Sequence, residues 1–133
     1  MKILLCFEGR VRPDSTGFYL LNAFKNLGHS VDHVYPEQIA AVTGGYDLYV
    51  KCDDGIYSPW NKNLHPSAYY AIDTHIESDW RLKIEKEGEF DFVSVVHSDG
   101  LKLPWVTKNL HYLPVGCDPD IHNVGVREKI YDG

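Results

Sequence analysis

The side chains with the clearest chemical potential follow an unbroken apolar run near the middle of the chain. Residues 68–72 are all apolar or aromatic, and Asp73, Thr74 and His75 come directly after them. A run of this kind predicts a strand buried on both faces, as in a parallel sheet covered by helices. Ligands of open α/β sheets bind at the carboxyl ends of the strands. Asp73 and His75 are therefore the candidate catalytic residues.

An imidazole and a carboxylate at such an edge can perform acid–base chemistry. Histidine can accept a proton from a substrate hydroxyl or donate a hydrogen bond to it. On an extended backbone Asp73 and His75 point to the same side, so Asp73 can orient the imidazole or act as the base itself. The structural alternative is that Asp73 caps the loop while His75 packs on Trp80 or Tyr57. The chain has no G-x-S-x-G motif, so a nucleophilic triad is not indicated.

Polar residues also follow three other predicted strands, and a parallel sheet brings them to the same edge. The candidate ligand-binding residues are Glu8, Gly9, Arg10 and Arg12 after the first strand, Asp53 and Asp54 after the third, and His97, Ser98 and Asp99 after the fifth. Beside a helix N-terminus, Arg10 and Arg12 can hold an anion such as a phosphate or a carboxylate. A solvent-exposed basic loop explains the two arginines equally well.

The first loop does not carry the dinucleotide-binding signature. That signature requires G-x-G-x-x-G after the first strand, whereas the glycines here are Gly9 and Gly17 with seven residues between them. The second strand is followed by Tyr35, Pro36 and Glu37, a poor substitute for the acidic residue that binds the ribose. We therefore do not expect NAD to bind.

The seven histidines do not form a recognisable metal motif. His29 and His33 are four apart, but on a predicted strand that spacing separates them by about 13 Å. Asp53, Asp54, Asp73 and His75 could converge on a cation, which is the weaker interpretation. We expect no metal ion and no other cofactor.

These residues need a sheet to bring them together, and the rest of the sequence predicts one. Strands are predicted over 2–7, 29–35, 46–52, 68–72, 91–96 and 109–113, and helices over 16–27, 36–41, 77–87 and 100–106. Leu20, Phe24 and Leu27 form the apolar stripe of the first helix, and Gly28 suits its C-terminal cap. The alternation predicts a Rossmann-like α/β domain, a doubly wound and mostly parallel six-stranded sheet with helices on both faces.

Composition limits the function classes. Of 133 residues, 44% are apolar and the net charge is −6, which disfavours general binding to nucleic acid. No stretch approaches the 18 or so apolar residues of a membrane span, and the apolar N-terminus is typical of a strand rather than a signal peptide. Cys6, Cys52 and Cys117 form no C-x-x-C pair, which favours reduced thiols in a cytoplasmic protein.

Five segments occur in an order that resembles a known family. They are 1–7, 27–31, 69–75, 93–101 and 113–122, of which Asp-Thr-His at 73–75 and Leu-Pro-Val-Gly-Cys-Asp-Pro at 113–119 are the most specific. Together they resemble the N-terminal domain of GT-B glycosyltransferases, especially the CgeB-like group related to spore maturation. The resemblance implies an acceptor-side domain over 1–122 and a linker or tail over 123–133.

The resemblance also implies a function. Asp73 and His75 match positions that touch the acceptor or the transferred sugar. The partners would be a nucleotide-sugar donor and an acceptor, and transfer would need a donor-binding half, either a missing C-terminal half or a partner chain. Such transfer is metal-independent, because side chains and helix dipoles stabilise the leaving diphosphate.

Two other function classes stay open. One is a stand-alone, non-enzymatic module that binds a nucleotide or another small anionic ligand at the same edge of the sheet. The other is a subunit of a homo- or hetero-oligomer, which pairs through a sheet edge or an apolar cleft wall. Tyr57, Trp60 and Trp105, in predicted loops, are the candidate contacts.

Overall fold

The computed structural model describes residues 1–116 and 118–120. These residues form a six-stranded, all-parallel sheet with the strand order β2-β1-β3-β4-β5-β6. The strands are β1 (Lys2–Cys6), β2 (Ser30–Val34), β3 (Leu48–Cys52), β4 (Ser67–Ala71), β5 (Phe92–Val95) and β6 (Leu110–Tyr112). The α-helices are α1 (Thr16–Asn26) and α2 (Ser78–Gly88), and short 3₁₀ helices span Pro36–Ala41 and Ser98–Lys102.

The core lies on both faces of the sheet. Leu4 and Cys6 of β1 pack on one face with Ile84 of α2, whereas Ile3 and Leu5 pack on the other face. The α1 side chains on that second face are Phe18, Leu20, Leu21 and Phe24. Because both faces are covered, the central strands can be almost continuously apolar. The predicted doubly wound α/β fold is therefore confirmed.

The strand order places a topological switch point between β1 and β3. From β1 the chain crosses to β2 on one side, and the later strands are added on the other side of β1. The loops after β1 and β3 therefore diverge and leave a crevice at the carboxyl edge, which is where such sheets bind ligands.

One predicted helix is displaced. The helix predicted over 100–106 is instead a 3₁₀ helix over Ser98–Lys102. Pro104 lacks an N–H and disfavours helical geometry in the preceding residue, which accounts for the early end. Trp105 turns inward, and its indole N–H donates to the carbonyl of Gly100 at 2.7 Å.

Two of the predicted partner contacts are part of the core. Trp60 and Trp105 are buried and pack in the same cluster as Ile84, so they are not available on the surface. Tyr57 is 42% exposed. Within the described residues, no helix is long and apolar enough to cross a membrane. The predicted linker or tail at 123–133 lies outside the described residues.

A buried ion pair joins α2 to the carboxyl ends of β3 and β4. The Nε of Arg81 donates to Asp53, and the two side chains are 3% and 1% exposed. Asp53 also accepts from the backbone N–H of Gly55 at 2.8 Å and of Ile72 at 3.0 Å. Arg81 donates in addition to the carbonyl of Ile76. One carboxylate therefore fixes the start of both loops.

Removing the cation from this pair should destabilise the domain strongly. Arg81→Met leaves Asp53 charged and buried, and breaking a buried pair in this way costs about 3–5 kcal/mol. Urea unfolding followed by circular dichroism measures the loss. The double variant Asp53→Asn, Arg81→Met should recover part of it, because no unpaired charge remains. A loss below about 1 kcal/mol in the single variant, the size found for exposed pairs, would contradict this role.

Candidate functional site

A cleft of about 450 Å³ opens at the switch point, and we call it the switch-point cleft. Its walls are the loop after β1, the first turn of α1, the loop after β3 and the start of the loop after β4. The charged residues that line it are Glu8, Arg12, Asp14, Asp53, Asp54 and Asp73. Eleven site residues were predicted from the sequence. Four of them are carboxylates that line this one cleft: Glu8, Asp53, Asp54 and Asp73.

Close packing brings the walls together. A Cβ on Gly17 would lie 2.1 Å from the ring of Phe7, so only glycine lets the first turn of α1 approach the end of β1 this closely. Gly9 is similarly tight, since a Cβ there would lie 2.9 Å from the ring of Phe18. The backbone N–H of Glu8 donates to Asp54 at 2.8 Å, which joins the loop after β1 to the loop after β3.

The two neighbouring aspartates have opposite environments. Asp53 is saturated by Arg81 and two backbone N–H groups. Asp54 accepts from Glu8 through one oxygen, while its Oδ2 is buried and has no hydrogen-bond partner among the described residues. Burial raises the pKa of Asp54, and the hydrogen bond from Glu8 opposes that rise only in part. Asp54 thus lines the cleft while one of its carboxylate oxygens lies buried without a donor among the described residues.

The predicted anion site in the first loop is already filled by carboxylates. Arg10 donates to Glu8 and Glu37 and stacks over the ring of Tyr35. The hydrogen bond from Arg10 lowers the pKa of Glu8 to about 2, so Glu8 stays ionised. Arg12 pairs with Asp14 at 3.0 Å. Both predicted anion-binding cations are therefore engaged, and the charges of the cleft are mostly negative.

A second group lies beside the cleft and shares Asp73 with it. The potential ligand atoms of Asp73, His75 and His97 all lie within 4.8 Å of one another, and all three side chains are exposed. We call these residues the Asp–His–His cluster. The two imidazole rings meet edge to face, with centroids 4.6 Å apart.

The cluster is built by two turns packed against each other. Strand β4 ends at Ala71, so Asp73 and His75 lie in a turn rather than on the strand from which their common orientation was predicted. Thr74 is buried between them, and a Cβ on Gly100 would lie only 2.5 Å from its hydroxyl. This close approach holds the turn after β4 against the turn that carries His97.

Three further predicted residues, His75, Ser98 and Asp99, have these surroundings in the structure. His75 contacts His97 rather than Trp80 or Tyr57, the packing partners of the structural alternative. Asp99 pairs with Lys102 at 2.6 Å, and Ser98 begins the second 3₁₀ helix.

Sequence reasoning missed three buried polar groups. Besides Arg81, Glu85 is buried and accepts from the backbone N–H groups of Val106 and Thr107. Lys51 is buried and donates to the hydroxyl of Ser58 at 2.5 Å. The signal in the sequence was their spacing. Arg81 and Glu85 lie three residues before and one residue after the apolar Ile84 and four residues from each other, which puts them on the same side of α2, the side that faces inward.

The segment after β6 returns to α1. The amide of Asn22 donates to Asp118 at 2.8 Å, and the hydroxyl of Tyr70 donates to the carbonyl of Leu113 at 3.2 Å. A smaller cavity of about 260 Å³ lies between this segment and α1. Asp118 is thus bonded to the helix that also forms a wall of the cleft.

Neutralising Asp54 should stabilise the domain. Because its pKa is raised in the folded state, the ionised form disfavours folding at neutral pH, and this penalty disappears as the pH falls through the raised pKa. Asp54→Asn should therefore increase the free energy of unfolding at pH 7 by about 1 kcal/mol, the lower end of the cost of a buried group without a partner.

Urea unfolding of Asp54→Asn and the wild-type protein at several pH values measures the difference. The gain should shrink toward acidic pH. Asp53→Asn is the matched control, and it should destabilise, because it leaves Arg81 without its carboxylate. A lower stability of Asp54→Asn at pH 7 would show that the Asp54 carboxylate is structural.

Known proteins give no further guide to the function of the cleft and the cluster. No family model matches the chain, and no curated protein or solved structure matches it. The chemistry of these two features therefore carries the functional assignment.

Proposed function

We propose that the chain is a glycosyltransferase-like domain that contributes the acceptor side of a sugar-transfer cleft. The observation that carries the proposal is the charge of the switch-point cleft. Glu8, Asp54 and Asp73 line it, Arg12 of the lining pairs with Asp14, and the nearby Arg10 pairs with Glu8 and Glu37, so neither guanidinium is left to bind an anion. The ligand that suits such a lining is uncharged and rich in hydroxyl groups.

Sugar hydroxyls supply the donors that this cleft lacks. A hydrogen bond to a charged acceptor contributes about 1.5–3 kcal/mol. The exposed carboxylate of Asp73 is an acceptor that a hydroxyl in the cleft reaches directly, whereas the buried Oδ2 of Asp54 becomes one only when neighbouring atoms move aside. A phosphate or a nucleotide would instead meet several carboxylates at short range. The same lining therefore favours the acceptor-side role over a stand-alone module for anionic ligands.

The volume of the cleft agrees with this class of ligand. About 450 Å³ lies within the range of roughly 300–1,000 Å³ that small-molecule sites occupy. Carboxylates on three sides of the cleft can discriminate between sugars by the positions of their hydroxyl groups, because each oxygen accepts hydrogen bonds in defined directions.

We assign the transfer step to Asp73 and His75. Asp73 lines the cleft, and His75 lies next to it in the same exposed cluster. An acceptor hydroxyl bound there can pass its proton to the imidazole as its oxygen attacks the anomeric carbon of the donor sugar, while the bond from that carbon to the nucleoside diphosphate breaks and the diphosphate leaves on the donor side. The nucleotide-sugar donor would be held by a second, donor-binding half, so the domain alone is expected to bind acceptors without turnover.

Ligand binding can be measured directly by saturation-transfer difference NMR. The probes are methyl glucoside, methyl galactoside and N-acetylglucosamine as neutral sugars, with uridine diphosphate and inorganic phosphate as anions. We expect at least one neutral sugar to bind and both anions to fail. Asp73→Asn and Asp54→Asn should each weaken sugar binding about tenfold or more, the effect of losing a hydrogen bond to a charged acceptor.

Asp47→Asn is the matched control, because it makes the same charge change before β3, at the opposite edge of the sheet. It should leave sugar binding unchanged. Binding of uridine diphosphate but of no sugar would contradict the proposal and favour the nucleotide module. Sugar binding that is equal in the wild-type protein and both cleft variants would place the sugar elsewhere.

A further inference from the structure

We propose that Asp73, His75 and His97 bind one divalent transition-metal ion, of which Zn²⁺ is the model case. Their potential ligand atoms lie within 4.8 Å of one another at the mouth of the switch-point cleft. This differs from the expectation of no metal site. The cation set considered from the sequence was Asp53, Asp54, Asp73 and His75, and it did not include His97.

The donor set determines the class of ion. Two imidazole nitrogens and one carboxylate oxygen suit zinc, iron and similar first-row metals, whereas Mg²⁺ and Ca²⁺ prefer oxygen ligands alone. Three protein ligands are also the number found in catalytic zinc sites, where the remaining position holds water or substrate. The cluster therefore has the composition of an open metal site rather than a closed structural one.

The geometry allows the three ligands to close on one ion. Zinc bonds of about 2.0–2.2 Å in tetrahedral arrangement require ligand atoms roughly 3.3–3.6 Å apart. The observed limit of 4.8 Å exceeds this by little more than 1 Å. Rotation of exposed side chains can remove the difference, and no hydrogen bond within the described residues holds any of the three in place.

The two turns beneath the cluster are closed by backbone hydrogen bonds and packed against each other, which favours binding. Thr74 is buried with its hydroxyl almost in contact with Gly100, and the N–H of Gly100 donates to the carbonyl of His97 at 2.9 Å. The turn that carries Asp73 and His75 is closed by an N–H of Ile76 that donates to the carbonyl of Asp73 at 2.9 Å. Only side-chain torsions therefore need to change when the ion binds.

The described cysteines do not compete for the ion. Cys6 and Cys52 are buried, and burial raises the pKa of Cys6 to about 12, so its thiolate is not formed near neutral pH. His65 is engaged by Asp91 at 2.8 Å, and His33 contacts the carbonyl of Phe7 at 2.8 Å. His75 and His97 have no such hydrogen bond in the described part of the chain.

The metal site does not rest on the acceptor-side function, although the two proposals share Asp73 and His75. If the metal is bound, His75 is a ligand and cannot also serve as the proton acceptor. Sugar binding by Glu8 and Asp54 does not depend on the metal, so a failure of one proposal leaves the other intact.

Isothermal titration of the tag-free protein with ZnCl₂ tests the site. We expect a stoichiometry of one ion per chain, with millimolar Mg²⁺ and Ca²⁺ unable to compete. His75→Asn and His97→Asn should each lower the affinity for Zn²⁺ at least about tenfold. Loss of a residue that only hydrogen-bonds a metal ligand already lowers the affinity about tenfold or more, and these variants lose a ligand itself. Because both side chains are exposed, the melting temperature without metal should not change.

Two controls make the result specific. His111→Asn removes an exposed histidine of β6 that contacts Phe92, and it should leave the affinity for Zn²⁺ unchanged. Cys117→Ser removes the third cysteine of the chain and should likewise leave the affinity unchanged. The Co²⁺-loaded wild-type protein should show no thiolate-to-metal charge-transfer band. No saturable binding of Zn²⁺, or an affinity that both histidine variants retain, would overturn the proposal.

Discussion

The buried contact between Arg81 and Asp53 is the interaction on which the functional edge of the sheet depends. Asp53 receives the guanidinium from α2 and the N–H groups of Gly55 and Ile72, so a single carboxylate ties together a helix and the ends of two strands. A buried ion pair is a weak source of net stability, because both charges lose their hydration. Its effect here is geometric. The loop after β3 supplies Asp54 and the loop after β4 supplies Asp73, and both loops leave the sheet from atoms that Asp53 holds.

Asp53 and Asp54 show how one dipeptide can serve stability and ligand binding at the same time. Asp53 accepts hydrogen bonds from Arg81 and from two backbone N–H groups. Asp54 has a buried oxygen without a donor, and its pKa is raised. Groups that disfavour the folded state in this way are found where a protein gives up stability for function. The inference is strengthened by position, because Asp54 faces a cleft at the switch point of the sheet. A carboxylate lacking a partner elsewhere on the surface would be solvated by water and would have no such consequence.

The sequence predicted the sheet well because its signals are local. The run 68–72 is apolar since β4 is covered on both faces. Of the predicted stripe of α1, Leu20 and Phe24 pack on one face of the sheet, whereas Leu27, just after the helix, is 72% exposed and does not. The pairing of charges was not predictable in the same way. Arg81 and Asp53 are 28 residues apart, and Arg10 meets Glu37 across 27 residues, so neither contact leaves a spacing pattern. The meeting of His75 with His97 likewise depends on the neighbouring positions of β4 and β5, together with the close approach of Thr74 and Gly100.

The charge of the edge links the two proposed sites. A cleft lined by carboxylates attracts cations and hydroxyl donors, and it repels the phosphates that the two arginines of the first loop would have suggested. A metal ion held by Asp73, His75 and His97 at the mouth of this cleft would be stabilised by the same negative field. It would also bring an electrophile to Asp73, the residue that the cluster shares with the cleft, and metal coordination increases the acidity of a bound oxygen. Under the two proposals, occupation of the cluster would decide how an acceptor hydroxyl is activated, by the metal when it is bound and by the imidazole of His75 when it is not.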